Sequence, residues 1–234
     1  MRIDQRKNNQ LREIKIEVSP MEFSNGSVIL STGKTKVLCS ASIEEGVPKF
    51  LSGSNQGWLT AEYSMLPGST NPRTNRNNNK KGRSQEIQRL IGRSLRSVIN
   101  LNNIGERQVK VDCDVVQADG GTRTASISGG FVALYLAIDK LKKSYNIEKP
   151  IIKNFVAAIS AGIIDNKARV DLDYNEDSAA EVDANFVICD NGKISEIQAT
   201  GEENFFSEEQ YQDMFRLAKT GIQKIIEKQK KCLI

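Results

Sequence analysis

The sequence predicts an α+β fold in which antiparallel sheets pack against about three long helices. Short segments that alternate apolar with polar residues are typical of half-buried strands and occur near the N-terminus, and further short apolar segments between residues 155 and 199 are strand candidates. Longer segments with apolar residues at helical spacing begin near residues 84, 126 and 207. No Pro- or Ser-rich linker divides the 234 residues, so we expect a single domain over residues 1–234.

The N-terminal strands are predicted to form a meander. Residues 14–18 alternate apolar and charged side chains, and Asn25-Gly26 is a typical hairpin turn. A second turn at Gly33 precedes the apolar segment 37–41. A further strand is predicted at residues 58–63.

The C-terminal half carries similar signals. Strands are predicted at residues 155–164, 168–172, 184–189 and 194–199.

Two predicted helices have capping signals at their starts. Ser84 is a candidate N-cap with Glu86 in the first helical turn, which places Arg83 just before the helix, where backbone donors point outward. Ser207 and Gln210 form a capping-box pattern at the start of the last helix.

Composition excludes several classes of protein. No apolar run approaches the roughly 18 residues of a membrane span, and the polar residues 1–11 lack the apolar core of a signal peptide. Those residues are expected to form either a flexible terminus or an arm lying on another surface. The four cysteines form no CxxC pair, which favours reduced thiols and a cytoplasmic protein without membrane contact. The absence of histidine excludes Ser-His and Cys-His catalysis and any His-ligated metal.

Charge is distributed unevenly, although the formal net charge is only +4. One stretch has a single acid, Glu86, and the basic residues Arg73, Arg76, Lys80, Lys81, Arg83, Arg89, Arg93 and Arg96. The stretch between residues 165 and 183 reverses the balance, with seven acids against two bases. The basic stretch suits a polyanion and the acidic stretch suits a divalent cation. The loop at residues 67–82, which contains the first basic residues of the basic stretch, is either a solvated surface loop or a nucleic-acid contact.

A Gly-Gly turn joins a predicted strand at residues 109–115 to a predicted helix. Paired glycines let the backbone approach a ligand closely, and the free N–H groups of a helix start attract anions. Thr122 and Arg123 add a hydroxyl and a planar guanidinium, which suit phosphate oxygens. The turn is therefore either a small phosphate-binding loop or an ordinary tight turn before a capped helix. It matches neither the P-loop nor the dinucleotide-binding pattern.

An acidic segment at residues 171–183 contains six carboxylates in thirteen residues. Asp171 and Asp173 are expected on one face of a strand if the strand continues that far. Asp177 and Asp183 flank a turn of small residues, and Asp183 leads into an apolar strand that would hold its carboxylate rigidly. The segment is either a solvated acidic loop or a magnesium site, since Mg²⁺ binds through one or two carboxylates plus substrate phosphates.

Together these motifs closely resemble the ribonuclease PH family of phosphate-dependent 3′ exoribonucleases. The resemblance covers nearly the whole chain. It includes the motifs NNQ (8–10), GWLTAEY (57–63), EIQRLIGR (86–93), QADGGTRTAS (117–126) and EDSAAE (176–181). It also includes the segments 35–48 and 112–115.

The resemblance implies the fold of domain 2 of ribosomal protein S5 and a homohexameric ring built as a trimer of dimers. The implied reaction removes 3′-terminal nucleotides from tRNA precursors with inorganic phosphate as co-substrate and releases nucleoside diphosphates, with a possible role in rRNA processing. The phosphate-binding residues of the family map to Arg83, Gly121, Thr122 and Arg123. The catalytic and metal-binding carboxylates map to Asp177 and Asp183, with Mg²⁺ or another divalent cation, and the RNA-binding loop arginines map to Arg73 and Arg76.

Phosphorolysis fits these residues because the attacking group is already an anion and needs no histidine base. Arg83 and Arg123 would hold the phosphate, while Asp177 either binds the cation or protonates the departing 3′ oxygen. The alternatives are a non-catalytic RNA-binding ring subunit, a metal-dependent hydrolase that uses water, and an RNA chaperone without chemistry.

Overall fold

The computed structural model describes residues 2–77, 82–202 and 205–234, and their fold is α+β, as the sequence predicts. The strands are β1 (Ile14–Val18), β2 (Gly26–Thr32), β3 (Thr35–Glu45), β4 (Trp58–Met65), β5 (Arg107–Gln117), β6 (Val156–Ile164), β7 (Lys167–Val170), β8 (Val182–Cys189) and β9 (Ile194–Gly201). The α-helices are α1 (Gly82–Ser97), α2 (Thr122–Tyr145), α3 (Tyr174–Ser178) and α4 (Glu208–Leu233). No helix in the described ranges is both long and apolar enough to cross a membrane.

The strands form two sheets. The first has the order β1-β2-β3-β5-β4 and the second has the order β7-β6-β8-β9. Among the described strands, β4 and β5 pair in parallel and the other paired neighbours are antiparallel. The prediction of antiparallel sheets is therefore confirmed for most of the described pairings, with β4 and β5 as the exception. The long connection through α1 brings the chain back in the same direction, which a short hairpin does not allow.

The two sheets share a hydrophobic core through α2. This helix packs on strands of both sheets, and nearly all its residues from Thr124 to Ile138 are buried. Helix α1 covers β4 and reaches β9, whereas α4 covers β6, β7 and β8. One cluster of buried apolar side chains includes residues of both sheets and of all three long helices.

Two predicted turns have different outcomes. Gly33, with a φ of +56°, lies in the short turn between β2 and β3, as predicted. The prediction of a hairpin turn at Asn25-Gly26 is wrong, because Gly26 is the first residue of β2 and the connection spans residues 19–25. Gly26 instead lies directly against α2, where an added Cβ would fall 2.2 Å from the carbonyl oxygen of Ala133. Close helix–strand packing therefore requires this glycine.

The helix starts also differ. Ser207 and Gln210 form the predicted capping box, in which the Ser207 hydroxyl accepts from the Gln210 N–H at 3.2 Å. By contrast, α1 begins at Gly82, so Ser84 lies inside the first turn and is buried. The prediction that Ser84 caps this helix is therefore wrong. Arg83 is the second helical residue rather than the residue before the helix.

Candidate active site

The Gly-Gly turn is the centre of the site and connects β5 to α2. Gly120 and Gly121 have φ values of +71° and +67°, in the left-handed region that favours glycine. Gly121 is the N-cap residue of α2, as the sequence predicts for a turn at a helix start. An added Cβ on Gly120 would lie 2.6 Å from the carbonyl oxygen of Leu172. The Gly-Gly turn therefore packs directly against the backbone of the acidic segment at Leu172.

Side chains from two strands of the first sheet hold this turn. The Thr35 hydroxyl donates to the Gly120 carbonyl at 2.7 Å and accepts from the Asp119 N–H at 2.9 Å. The Tyr63 hydroxyl lies 2.9 Å from the Thr122 hydroxyl. Burial raises the pKa of the Tyr63 phenol, so it stays a neutral hydroxyl. If Tyr63 donates in this pair, the Thr122 proton remains free to donate to an anion.

The two predicted phosphate-binding arginines both lie within electrostatic range of Asp177 and Asp183. Arg123 donates through Nη1 to the Gln198 Oε1 atom at 3.4 Å and lies 3.8 Å from the Glu86 carboxylate. Arg83 is exposed in the first turn of α1, and both guanidinium groups favour the ionised forms of Asp177 and Asp183. Sequence analysis missed Gln198, because a neutral amide in an alternating strand carries no charge signal.

The two predicted carboxylates come from different elements. Asp177 lies in α3, where a capping box between Asp173 and Glu176 sets the start of the helix. Asp183 lies in β8 and is paired with Gly162 of β6. Burial raises the pKa of Asp177, and burial together with the charge of Asp177 raises the pKa of Asp183 to about 6. The structure thus brings Arg83, Arg123, Asp177 and Asp183 together.

These carboxylates fit a divalent cation. Within the described residues, the buried Oδ1 atom of Asp183 has no hydrogen-bond partner, although a carboxylate oxygen is a strong acceptor. No group of three or more potential ligands occurs in the described part of the chain. Two carboxylates nevertheless suit Mg²⁺, which keeps several waters and takes substrate phosphate oxygens as further ligands.

Asp171 and Asp173 do not share a strand face, so that prediction is wrong. Strand β7 ends at Val170, and Asp171 turns the chain with a φ of +56°. Asp173 instead accepts from the Glu176 N–H at 3.0 Å as the N-cap of α3. The acidic segment turns away from β7 after Val170. Buried arginines bind the side chains of Asp171 and Glu176 there.

Most of those arginines belong to the N-terminal residues, which form an arm on the same chain, and Arg169 of β7 also binds Glu176 at 3.3 Å. Arg2 is 4% exposed and donates to both carboxylate oxygens of Glu176 at 2.8 and 2.6 Å. Arg12 is 7% exposed and donates to Asp171 through Nε at 3.1 Å and Nη2 at 2.7 Å. Its Nη1 also donates to the Asp119 carbonyl. The sequence left open whether these residues are flexible, since a polar arm without periodicity does not reveal its partners.

The predicted RNA-binding arginines are exposed, unlike the buried arginines of the N-terminal arm. Arg73 and Arg76 are exposed in the loop after β4, and Lys80 and Lys81 lie outside the described residues. The base of this loop is fixed beside the Gly-Gly turn, because the Ser69 carbonyl accepts from the Ala118 N–H at 2.9 Å. The loop therefore begins next to the phosphate-binding candidates.

Two segments of the chain match models of known protein families. Residues 10–138 match the model of the 3′ exoribonuclease family, domain 1, and residues 154–221 match domain 2 of the same family. Ribonuclease PH of Bacillus pumilus (strain SAFR-032) is 52% identical over 234 residues, which cover 98% of this chain and 97% of that protein.

Solved structures share the fold. The crystal structure of rice (Oryza sativa) Rrp46 has a TM-score of 0.81 at 20% identity and covers all of both chains. A chain of the Archaeoglobus fulgidus exosome with RNA bound to the active site has a TM-score of 0.81 at 18% identity, over 97% of this chain and 92% of that chain. At such low identity these structures support the fold alone. The family matches and the close relative also confirm the predicted phosphorolytic 3′ exoribonuclease, and the chain belongs to the ribonuclease PH family.

Proposed function

We propose that this chain removes 3′-terminal nucleotides from tRNA precursors, with inorganic phosphate as the attacking group, and releases nucleoside diphosphates. The observation that carries the proposal is the convergence of the Gly-Gly turn, two arginines and two carboxylates with raised pKa values. Residues of both sheets contribute to this site, which supports residues 1–234 acting as one catalytic unit.

The arginines and the turn form the phosphate site. Among the described residues, the contacts of Arg123 are long, at 3.4 and 3.8 Å, so its strong donors remain available for an anion. Arg83 is exposed and lies within electrostatic range of both carboxylates, and Thr122 supplies a hydroxyl at the start of α2. Gly121 lets the backbone approach the phosphate without a side chain. Held in this way, a phosphate oxygen can approach the phosphorus of the last phosphodiester bond.

The carboxylates act on the RNA end. The new bond joins the phosphate oxygen to the terminal phosphorus, and the bond from that phosphorus to the 3′ oxygen of the preceding nucleotide breaks. Asp177 and Asp183 would hold Mg²⁺ or another divalent cation, which neutralises charge on the scissile phosphate when bound. Alternatively Asp177, whose pKa is raised by burial, supplies the proton that the departing 3′ oxygen takes.

The RNA and the assembly complete the proposal. Arg73 and Arg76 would contact the RNA backbone, since both are exposed in a loop that begins beside the Gly-Gly turn.

We propose a homohexameric ring, a trimer of dimers. Structures titled as exosome assemblies share the fold, including an archaeal exosome core with a TM-score of 0.78 at 18% identity over 98% of this chain and 91% of that chain. Four free thiols in the described residues support a cytoplasmic location.

Withholding phosphate tests the proposed reaction. The purified chain, Mg²⁺ and a 3′-extended tRNA precursor are incubated with and without phosphate, and the released nucleotides are identified by chromatography. We expect nucleoside diphosphates only when phosphate is present. Nucleoside monophosphates in the phosphate-free buffer would indicate a hydrolase, and RNA binding without product in either buffer would indicate a non-catalytic RNA-binding subunit or a chaperone.

Arg123→Ala removes one of the two proposed phosphate ligands. We expect kcat/KM for phosphorolysis to fall roughly 100-fold, which corresponds to about 3 kcal/mol of transition-state stabilisation. Binding of tRNA is expected to stay close to that of the wild type. The matched control is Arg216→Ala, because Arg216 is exposed on α4 and pairs with Asp213. Equal turnover by both variants would refute the assignment of Arg123.

Asp183→Asn tests the electrostatics of the carboxylate pair without an activity assay. The raised pKa of Asp183, about 6, means that the folded protein binds this proton more tightly than the unfolded chain does. Ionisation therefore lowers the stability of the wild type as the pH rises through the range between about 4 and 6. In EDTA we expect Asp183→Asn to raise Tm by about 2–4 °C at pH 7.5, with a smaller difference at pH 4.5.

The control for this comparison is Asp213→Asn on α4, which should leave Tm the same at both pH values. Thermal unfolding is followed by circular dichroism. A lower Tm for Asp183→Asn than for the wild type at pH 7.5 would contradict the described environment of Asp183.

A further inference from the structure

Arg12 contacts two segments that the proposed reaction uses separately. Its Nε and Nη2 atoms donate to Asp171, at the start of the segment that carries Asp177, and its backbone N–H donates to the other oxygen of Asp171 at 2.7 Å. Its Nη1 atom donates to the Asp119 carbonyl, directly before the Gly-Gly turn. One guanidinium therefore bridges the anion-binding turn and the carboxylate segment.

The surroundings of Arg12 show that this bridge is tightly packed. An added Cβ on Gly121 would lie 3.2 Å from the Nη2 atom of Arg12, so the guanidinium lies against the turn itself. Asp171 is only 5% exposed, and its own N–H donates to the Ser160 carbonyl at 2.8 Å. The Leu172 N–H donates to the Ser160 hydroxyl at 3.1 Å. The carboxylate end of the bridge is thus fixed to β6.

Only a guanidinium has the geometry that this bridge requires. Its donors point in fixed directions, so it can bind a carboxylate on one edge and a carbonyl on another. A lysine ammonium can keep the ion pair with Asp171 but is a single point charge on a flexible stem. A lysine at this position would therefore leave the Asp119 carbonyl without its bridging donor.

We propose that Arg12 is a positioning residue for phosphorolysis, which holds the phosphate-binding turn in register with the segment that carries Asp177. This inference rests on the proposed function. Arg12 does not touch the reacting atoms and acts through the Gly-Gly turn and through Asp171. The charge of Arg12 also favours the ionised form of Asp177, so the bridge lies within electrostatic range of the proposed carboxylates.

A role in stability alone is the competing explanation, and Arg2 provides a matched control for it. Arg2 is equally buried and binds Glu176 in the same arm-to-segment network. Its described contacts are with residues 7, 10, 170, 171 and 176, and none of them is in the turn at residues 119–121. Loss of Arg2 should therefore weaken the fold without moving the turn.

The experiment compares Arg12→Lys with Arg2→Lys at a temperature where circular dichroism shows both to be folded. We expect Arg12→Lys to raise KM for phosphate at least tenfold and to leave KM for tRNA within about twofold. Arg2→Lys should leave KM for phosphate within about twofold. Equal effects of the two variants on KM for phosphate, or no effect of Arg12→Lys, would overturn the proposal.

Two further measurements keep the test decisive. If Arg12→Lys does not fold, Arg12→Gln replaces it with the same expected rise in KM for phosphate, because one short neutral amide cannot bind both Asp171 and the Asp119 carbonyl; failure of both variants to fold would overturn a role specific to the turn. If the wild type releases no nucleoside diphosphates, the proposed function fails. Amide hydrogen exchange of residues 119–124 still tests Arg12 in that case: the inference predicts exchange at least tenfold faster in Arg12→Lys only, and equal rates in both variants would refute it.

Discussion

The buried ion pair between Arg12 and Asp171 is the interaction on which the geometry of the site depends. It joins the N-terminal arm to the acidic segment, and the remaining donor of Arg12 reaches the Asp119 carbonyl before the Gly-Gly turn. Asp171 adopts a left-handed φ of +56°, which costs free energy for a non-glycine residue and persists because its surroundings fix it. Loss of Arg12 would leave Asp171 with a longer ion pair to Arg6, at 3.5 Å, and would cost free energy because a buried charge loses its best-placed partner. The pair therefore selects one arrangement of the segments around it.

Four arginines around the site divide into two groups by how fully their donors are used. Arg2 and Arg12 are buried and bind carboxylates at distances as short as 2.6 and 2.7 Å. Arg123 contacts the described residues Gln198 and Glu86 at 3.4 and 3.8 Å, and Arg83 is exposed. The first group sets the structure, whereas the second retains donors for an anionic ligand. The carboxylates show the same division, because Asp171 is fully paired while Asp183 keeps a buried oxygen without a hydrogen-bond partner in the described residues.

Local patterns predicted most of the fold, and non-local contacts account for what was missed. The Gly-Gly turn and the capping box at Ser207 depend on neighbours in sequence, so residue types alone indicate them. The parallel pairing of β4 with β5 depends on the path of α1, and the role of the arm depends on partners about 160 residues away, such as Asp171 for Arg12. Neither the parallel pairing nor the contacts of the arm produce a periodic pattern of apolar residues in the sequence. The family resemblance supplied Arg83, Asp177 and Asp183 as site residues, and their proximity in the structure agrees with that assignment.

The central claim is that inorganic phosphate, held by Arg83, Arg123 and the Gly-Gly turn, is the group that attacks the RNA end. Mass spectrometry of products formed with phosphate labelled at all four oxygens with ¹⁸O tests this claim most directly. The account predicts nucleoside diphosphates in which the β-phosphoryl group and its bridging oxygen retain all four heavy atoms. Nucleoside monophosphates that instead carry oxygen from labelled water, formed at the same rate without phosphate, would contradict it.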